Sequence, residues 1–162
     1  MIVMTQILVA TDFSEASAAA MEYGRALART FGASLHLLHV IENPFLRPHA
    51  VDPHTIKNAA LSHLFDRLTD EDRRKLHATP VLETSDDPAD AIVKYAKAKQ
   101  IDLIVIGTHG RGTVAQILEG SVAERVVRLA PCPVLTVRHP EHEFVVPDLP
   151  ASMVNSIAGG QS

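Results

Sequence analysis

Five short runs dominated by Val, Ile and Leu alternate along this chain with longer segments in which apolar residues return at helical intervals. No other feature narrows the fold so far. Such alternation marks β-α-β units, in which parallel strands are joined through helices that cross the sheet. The runs are Thr5 to Thr11, Ser34 to Ile41, Thr79 to Thr84, Asp102 to Gly107 and Pro133 to Arg138. Several are apolar throughout rather than at every second position, as strands covered on both faces must be. The expected fold class is therefore α/β, a parallel sheet with helices on both faces. With 162 residues, 46% of them hydrophobic and 21% charged, the chain is sized for one core.

The segments between the runs carry their own start and stop signals. Ser14 is placed to cap a helix whose Ala16, Ala20, Tyr23, Leu27 and Phe31 recur at helical spacing, and Gly32 suits the left-handed position that ends it. Before the fourth run, Asp87 reads as a cap and Pro88 as the first helical residue, where a missing N–H is harmless. Ser121 to Glu124 has the spacing of a capping box, followed by the stripe Val122, Val126 and Leu129. Residues Glu42 to His54 hold three prolines and no periodicity, so they read as a loop leading to a second helix over about Pro53 to His77. The expected organisation is one domain over residues 1–140 and a tail over 141–162 that is poorly ordered or packs on a partner subunit.

Charge and cysteine content remove several classes of function. A formal net charge of −4 with no Lys/Arg-rich run argues against a surface built for nucleic-acid backbone or an anionic membrane. No stretch approaches the ~18 apolar residues of a membrane span. The N-terminus lacks a basic leader, and the single cysteine, Cys132, is compatible with a reducing compartment, so a cytoplasmic location is expected. Cys132, between Pro131 and Pro133, reads as a packing residue. His36 and His39 fall at odd spacing on one strand, which places them on opposite faces. His49, His54 and His63 lack the tight spacing of zinc ligands.

The fourth run ends abruptly in "IVIGTHGRG", Ile104 to Gly112, where three glycines flank a histidine and an arginine. In an open α/β sheet, ligands bind beyond the carboxyl ends of the strands where the strand order reverses, and the first and fourth runs are the expected pair there. Glycines at such an end bring bare N–H groups close to a ligand, an arrangement suited to phosphate oxygens. A second donor cluster stands at Gly120 to Val122, where the next helix begins and its dipole favours an anion. Glycines after strands also serve purely steric turns, so on glycines alone both readings stand.

The spacing Gly107-x2-Gly110-x9-Gly120-Ser121 resembles the nucleotide-binding pattern of the universal stress protein family. "LEGSVAERVVRLAPCPVLTV" resembles that family's C-terminal signature, and "ILVATDFSEASAAAMEYGRALA" its first strand and helix. The resemblance spans Thr5 to Arg138. It implies a doubly wound, five-stranded parallel sheet of order 3-2-1-4-5 and, from the intact glycines, the ATP-binding branch. It further implies that Ala10 and Val40 line the adenine pocket, that Thr11 also meets the nucleotide, and that Asp12 meets the ribose or a Mg²⁺ carried by ATP. Gly107, Thr108, His109, Gly110, Arg111, Gly112, Gly120, Ser121 and Val122 would hold ribose and phosphates. Plainer roles stay open for some of these: Asp12 as a turn residue, Ser121 as a helix cap, Arg111 as a solvated side chain. The chain departs from the family where Asp86 and Asp87 stand in place of a glycine, and in the proline-bearing insert after Ile41.

Catalytic signatures are sparse. A phosphate-loop hydrolase carries a lysine in its glycine loop, and this loop has none; nor is there a nucleophile elbow. Any hydrolysis of ATP is expected to be slow. The expected function is nucleotide-dependent regulation of a protein partner by a homodimer joined through the last strand, Pro133 to Arg138, whose edge offers free N–H and C=O groups. A dimeric interaction module without nucleotide is the alternative.

Overall fold

The structure, a computed structural model, describes residues 1–46, 51–109, 119–140 and 144–145. Its centre is a five-stranded, all-parallel sheet of order β3-β2-β1-β4-β5. The strands are β1 (Gln6–Ala10), β2 (Ser34–Ile41), β3 (Thr79–Thr84), β4 (Leu103–His109) and β5 (Val134–His139). Between them run α1 (Glu15–Phe31), α2 (Pro53–Asp66), α3 (Asp70–Lys75), α4 (Pro88–Ala98) and α5 (Glu119–Leu129).

Continuous apolar strands require cover on both faces, and the core divides accordingly. Ile7, Val9, Leu35, Leu37 and Val105 point towards α1, α2 and α3. Leu8, Leu38, Ile104 and Ile106 point towards α4 and α5, where Ile92, Ala123 and Val126 meet them. Alternation along each strand assigns the faces. Burial of each such side chain contributes about 1.5–3 kcal/mol.

Helix α1 begins where Ser14 accepts the Ser17 N–H at 3.2 Å and ends at Gly32 with φ 66°. Asp87 caps α4 by accepting the Asp90 N–H, and Pro88 takes the first helical position. The second helical segment departs from expectation. Instead of one helix over Pro53 to His77, α2 stops at Asp66 and a new helix starts at Thr69. The restart has a physical cause: Thr69 and Asp72 form a reciprocal capping box, and Asp72, fully buried, receives the Arg25 Nε–H at 2.9 Å.

Helix α5 also differs. Its backbone is helical from Glu119, so Ser121 sits inside the first turn and is not the cap. Beyond β5, two residues of the expected tail dock on this chain's own α1. Phe144 donates its N–H to the Tyr23 hydroxyl at 2.9 Å, with the two rings edge-to-face at 4.8 Å, and Val145 joins the α1 side of the core.

Candidate functional site

The strand order reverses between β1 and β4, since β1 leads to β2 on one side while β4 arrives on the other. A cleft of about 220 Å³ opens there, beyond the carboxyl ends of β1, β2 and β4. Its deep wall is apolar, built by Leu38, Val40, Ile92 and Ile106, with Ala10 and Ala123 behind them. Its polar lining comes from Thr11 and the exposed Asp12 after β1, the buried Ser17 of α1 and His39 near the end of β2. A flat apolar slot with a few polar groups at one end is the usual form of a small-molecule site.

Local geometry sets each polar group. The Thr11 hydroxyl donates to the Ser17 Oγ at 3.0 Å and accepts the Phe13 N–H at 3.0 Å. Asp12, exposed at the mouth, accepts the Ser14 N–H on Oδ1 at 3.0 Å. Partial desolvation pushes the Asp12 carboxyl up, but donors from Ser14 and Ser17 outweigh it and hold the group below the usual carboxylate range. The carboxylate is thus charged across the physiological range. His39 Nδ1 lies 2.7 Å from the Thr11 carbonyl, which can only accept, so Nδ1 carries a proton and donates it there.

Of the residues singled out in the sequence, Ala10, Thr11, Asp12, Val40, Gly107 and Val122 line this one cleft. Thr108 does not; it continues β4 beyond the lip, paired in register with Arg138. His109 is likewise the last residue of β4 rather than part of a loop, and its side chain lies outside the described residues. Gly110, Arg111 and Gly112 lie wholly outside them. Gly120 and Ser121 belong to the first turn of α5, beside Val122, with their side-chain positions also outside what is described.

Gly107 has a different reason to be glycine than a turn would give. It is an extended strand residue, and a Cβ there would stand 2.3 Å from the Ala16 carbonyl oxygen and 2.8 Å from the Ser17 N. The start of α1 therefore rests directly on β4. That close approach brings Thr11, Asp12 and Ser17 against the end of β4.

Sequence reasoning missed Leu38, His39, Pro88, Ile92, Ile106, Ala123 and Ser17 as lining residues. A signal for some of them existed. Leu38 and Ile106 share strand parity with Val40 and with Ile104, and Ile92 follows Pro88 by one helical turn. The two cleft walls from α4 and α5 are tied at the rim, where Arg125 makes a two-pronged bridge to Asp87, 2.8 Å on each prong. That guanidinium holds the Asp87 carboxyl below its ordinary range.

Among the described residues no group of three or more His, Cys, Asp or Glu is placed to hold a metal ion, and no helix is long and apolar enough to cross a membrane. His54 packs on Phe45 and His63 on Phe13; His49 lies outside the described residues. Cys132 is half-buried against the α4 and α5 side of the core, and burial pushes its thiol up.

The sequence profile of the universal stress protein family matches residues 4–138. The chain belongs to that family. This universal stress protein is 34% identical over 146 residues to universal stress protein MJ0531 of Methanocaldococcus jannaschii, covering 85% of the chain and 84% of its relative. Its fold matches the solved structure of MJ0577 from the same organism, with a TM-score of 0.66 at 26% identity, covering 87% of this chain and all of the other. A universal stress protein from Archaeoglobus fulgidus, solved in complex with dAMP, matches at a TM-score of 0.57 and 23% identity, over 84% of this chain and 99% of the other. At that identity the likeness concerns the fold alone.

Proposed function

We propose that this universal stress protein binds ATP, with Mg²⁺, in the cleft between the ends of β1 and β4. The observation that carries the reading is the division of that cleft into an apolar slot and a polar mouth. Leu38, Val40, Ile92 and Ile106 would enclose the adenine, which gains from leaving water and asks for little hydrogen bonding. Thr11 and Asp12 face the mouth, where ribose hydroxyls would lie. N–H groups of α5 from Gly120 to Val122 would meet phosphate oxygens, and Gly107, whose missing side chain lets α1 close on β4, would border them. The segment His109, Gly110, Arg111 and Gly112 would complete that cradle.

The charge on Asp12 decides how a metal would enter. A carboxylate beside a triphosphate repels it unless a divalent cation stands between them, and Mg²⁺ supplies that neutralisation. With no preformed cluster of ligands among the described residues, Mg²⁺ would arrive with the nucleotide. The same residues offer no activated nucleophile, so occupancy rather than turnover is the proposed output. In this reading the protein is a cytoplasmic stress-response regulator, and nucleotide occupancy alters what its homodimer presents to a protein partner.

Calorimetric titration with Mg-ATP tests the reading, alongside a Val40→Glu variant that places a carboxylate on the half-exposed apolar wall. The expected result is binding by the wild type and at least about a 10-fold loss in the variant, on the scale of burying an unpaired charge. Binding by neither protein returns the chain to the alternative of an interaction module without nucleotide.

A further inference from the structure

Phe13 is an L-residue with a bulky side chain in the left-handed region, φ 64°, immediately after Asp12. That conformation is unfavourable for such a residue and persists only where its surroundings impose it. The surroundings here are the α1 side of the core, against which Phe13 is partly buried, and two histidines. The Phe13 ring lies parallel to the His63 ring, 3.9 Å between centroids and 15° between planes, and against the His39 ring at 4.4 Å. Arg67, one turn beyond His63 on the same flank of α2, places its guanidinium 5.7 Å from the Phe13 ring and reaches the His63 Nε2 at 3.3 Å.

The backbone on either side of Phe13 carries two hydrogen bonds of the candidate site. The Phe13 N–H reaches the Thr11 hydroxyl, and the Ser14 N–H reaches the Asp12 Oδ1, each at 3.0 Å. Were Phe13 to relax into the right-handed or extended region, the Ser14 N–H would swing away and the Asp12 carboxylate would lose its fixed direction. His39 is itself fixed by the Thr11 carbonyl. The outer half of the grip therefore comes from His63, which belongs to a helix that has no other described role at the cleft.

We propose that Phe13, held between His39 and His63, is a positioning residue for Asp12, so that α2 determines how firmly the mouth of the cleft is set for its ligand. The ligand half of this inference rests on the nucleotide reading of the cleft; the turn half does not. His63 is exposed on α2, and alanine is a good helix former there, so its removal leaves the fold intact.

Two variants, His63→Ala and His63→Phe, are compared with the wild type by amide hydrogen exchange at Phe13 and Ser14 and by Mg-ATP titration. His63→Ala is expected to exchange both amides faster, to bind Mg-ATP about 2- to 10-fold more weakly, on the scale of one aromatic pair, and to lower the melting temperature by only a few degrees. His63→Phe, which keeps a ring against Phe13, is expected to restore both. Wild-type exchange at Phe13 and Ser14 in His63→Ala overturns the proposal, whatever the binding result. Faster exchange with undiminished affinity overturns the link to the ligand. Should the wild type bind no Mg-ATP, the nucleotide reading fails, and the exchange data alone decide whether His63 holds the Asp12 turn.

Discussion

The imidazole of His36 is tied to three elements at once. Its Nε2 meets the Gln6 Oε1 of β1 at 2.7 Å, and its Nδ1 meets the Tyr95 hydroxyl of α4 at 2.8 Å. Because the Gln6 oxygen only accepts, Nε2 carries a proton; in the neutral ring Nδ1 then receives the Tyr95 O–H. Burial, and then the nearby Lys99, lower its pKa below the ordinary 6.5. A depressed histidine pKa means that the unfolded chain takes up the proton first. The stability His36 contributes is therefore complete above about pH 6.5 and falls as pH drops from there towards the folded value. Urea unfolding at pH 7.5, 6.5 and 5.5 should show a steeper acid loss for the wild type than for His36→Gln; parallel losses would count against this assignment. Gly107 offers a second test at this scale. Gly107→Ala should cost about 1–3 kcal/mol, because the Cβ meets the backbone of α1 rather than a yielding side chain. The glycine itself was legible in the sequence, but its reason was not. A glycine at a strand end looks the same whether it serves a turn, a ligand or a helix pressed against it, and only the third dimension separates them.

At the scale of elements, α4 and α5 are joined by their packing and by the Asp87–Arg125 bridge at the rim. Asp87 also caps α4 through the Asp90 N–H, so its carboxylate has two roles that substitutions can separate. Asn keeps the cap and loses the ion pair, whereas Ala loses both. Melting temperatures should therefore rank wild type above Asp87→Asn and Arg125→Ala, which should resemble each other, with Asp87→Ala lowest. In 1 M salt the first gap should narrow and the second persist, because screening acts on the pair and not on the cap. Equal melting of Asp87→Asn and Asp87→Ala would show that the cap contributes nothing. Most element boundaries were legible for the same local reasons that govern such caps. Ser14, Gly32, Asp87 and Pro88 each act within a few residues of themselves. The break between α2 and α3 had a local signal that sequence reasoning missed, the Thr69–Asp72 capping box, whereas the burial of Asp72 against Arg25, 47 positions away on another helix, was not legible. The cleft divides likewise: its β1 side followed from motif and strand order, while Ile92 and Ala123 entered only once both helices lay on the same face.

For the whole molecule, the sheet order leaves β3 and β5 at the two edges. Strand β5 is the proposed dimer seam, where free backbone groups can pair with a two-fold copy. The Leu135 N–H faces β4, since Ile104 pairs with Val134 and donates its own N–H to the Pro133 carbonyl, so the open edge is presented by the alternate residue Thr136. Thr136→Pro removes that edge donor, and sedimentation velocity should then report a monomer with the far-ultraviolet spectrum of the wild type; an unchanged dimer would place the seam elsewhere. The opposite edge is not equivalent. β3 carries Pro80 as its second residue, which contributes no N–H and discourages strand addition. With β5 as the seam, one pairing edge and one blunted edge would together limit growth. A chain that could add strands at both sides would polymerise without end, whereas one with a single receptive side is saturated after one pairing. If β5 is the seam, Pro80 on the opposite edge would act as a chain terminator for assembly, and its replacement by a β-former such as Val should expose the molecule to fibre formation, read as growth in light scattering.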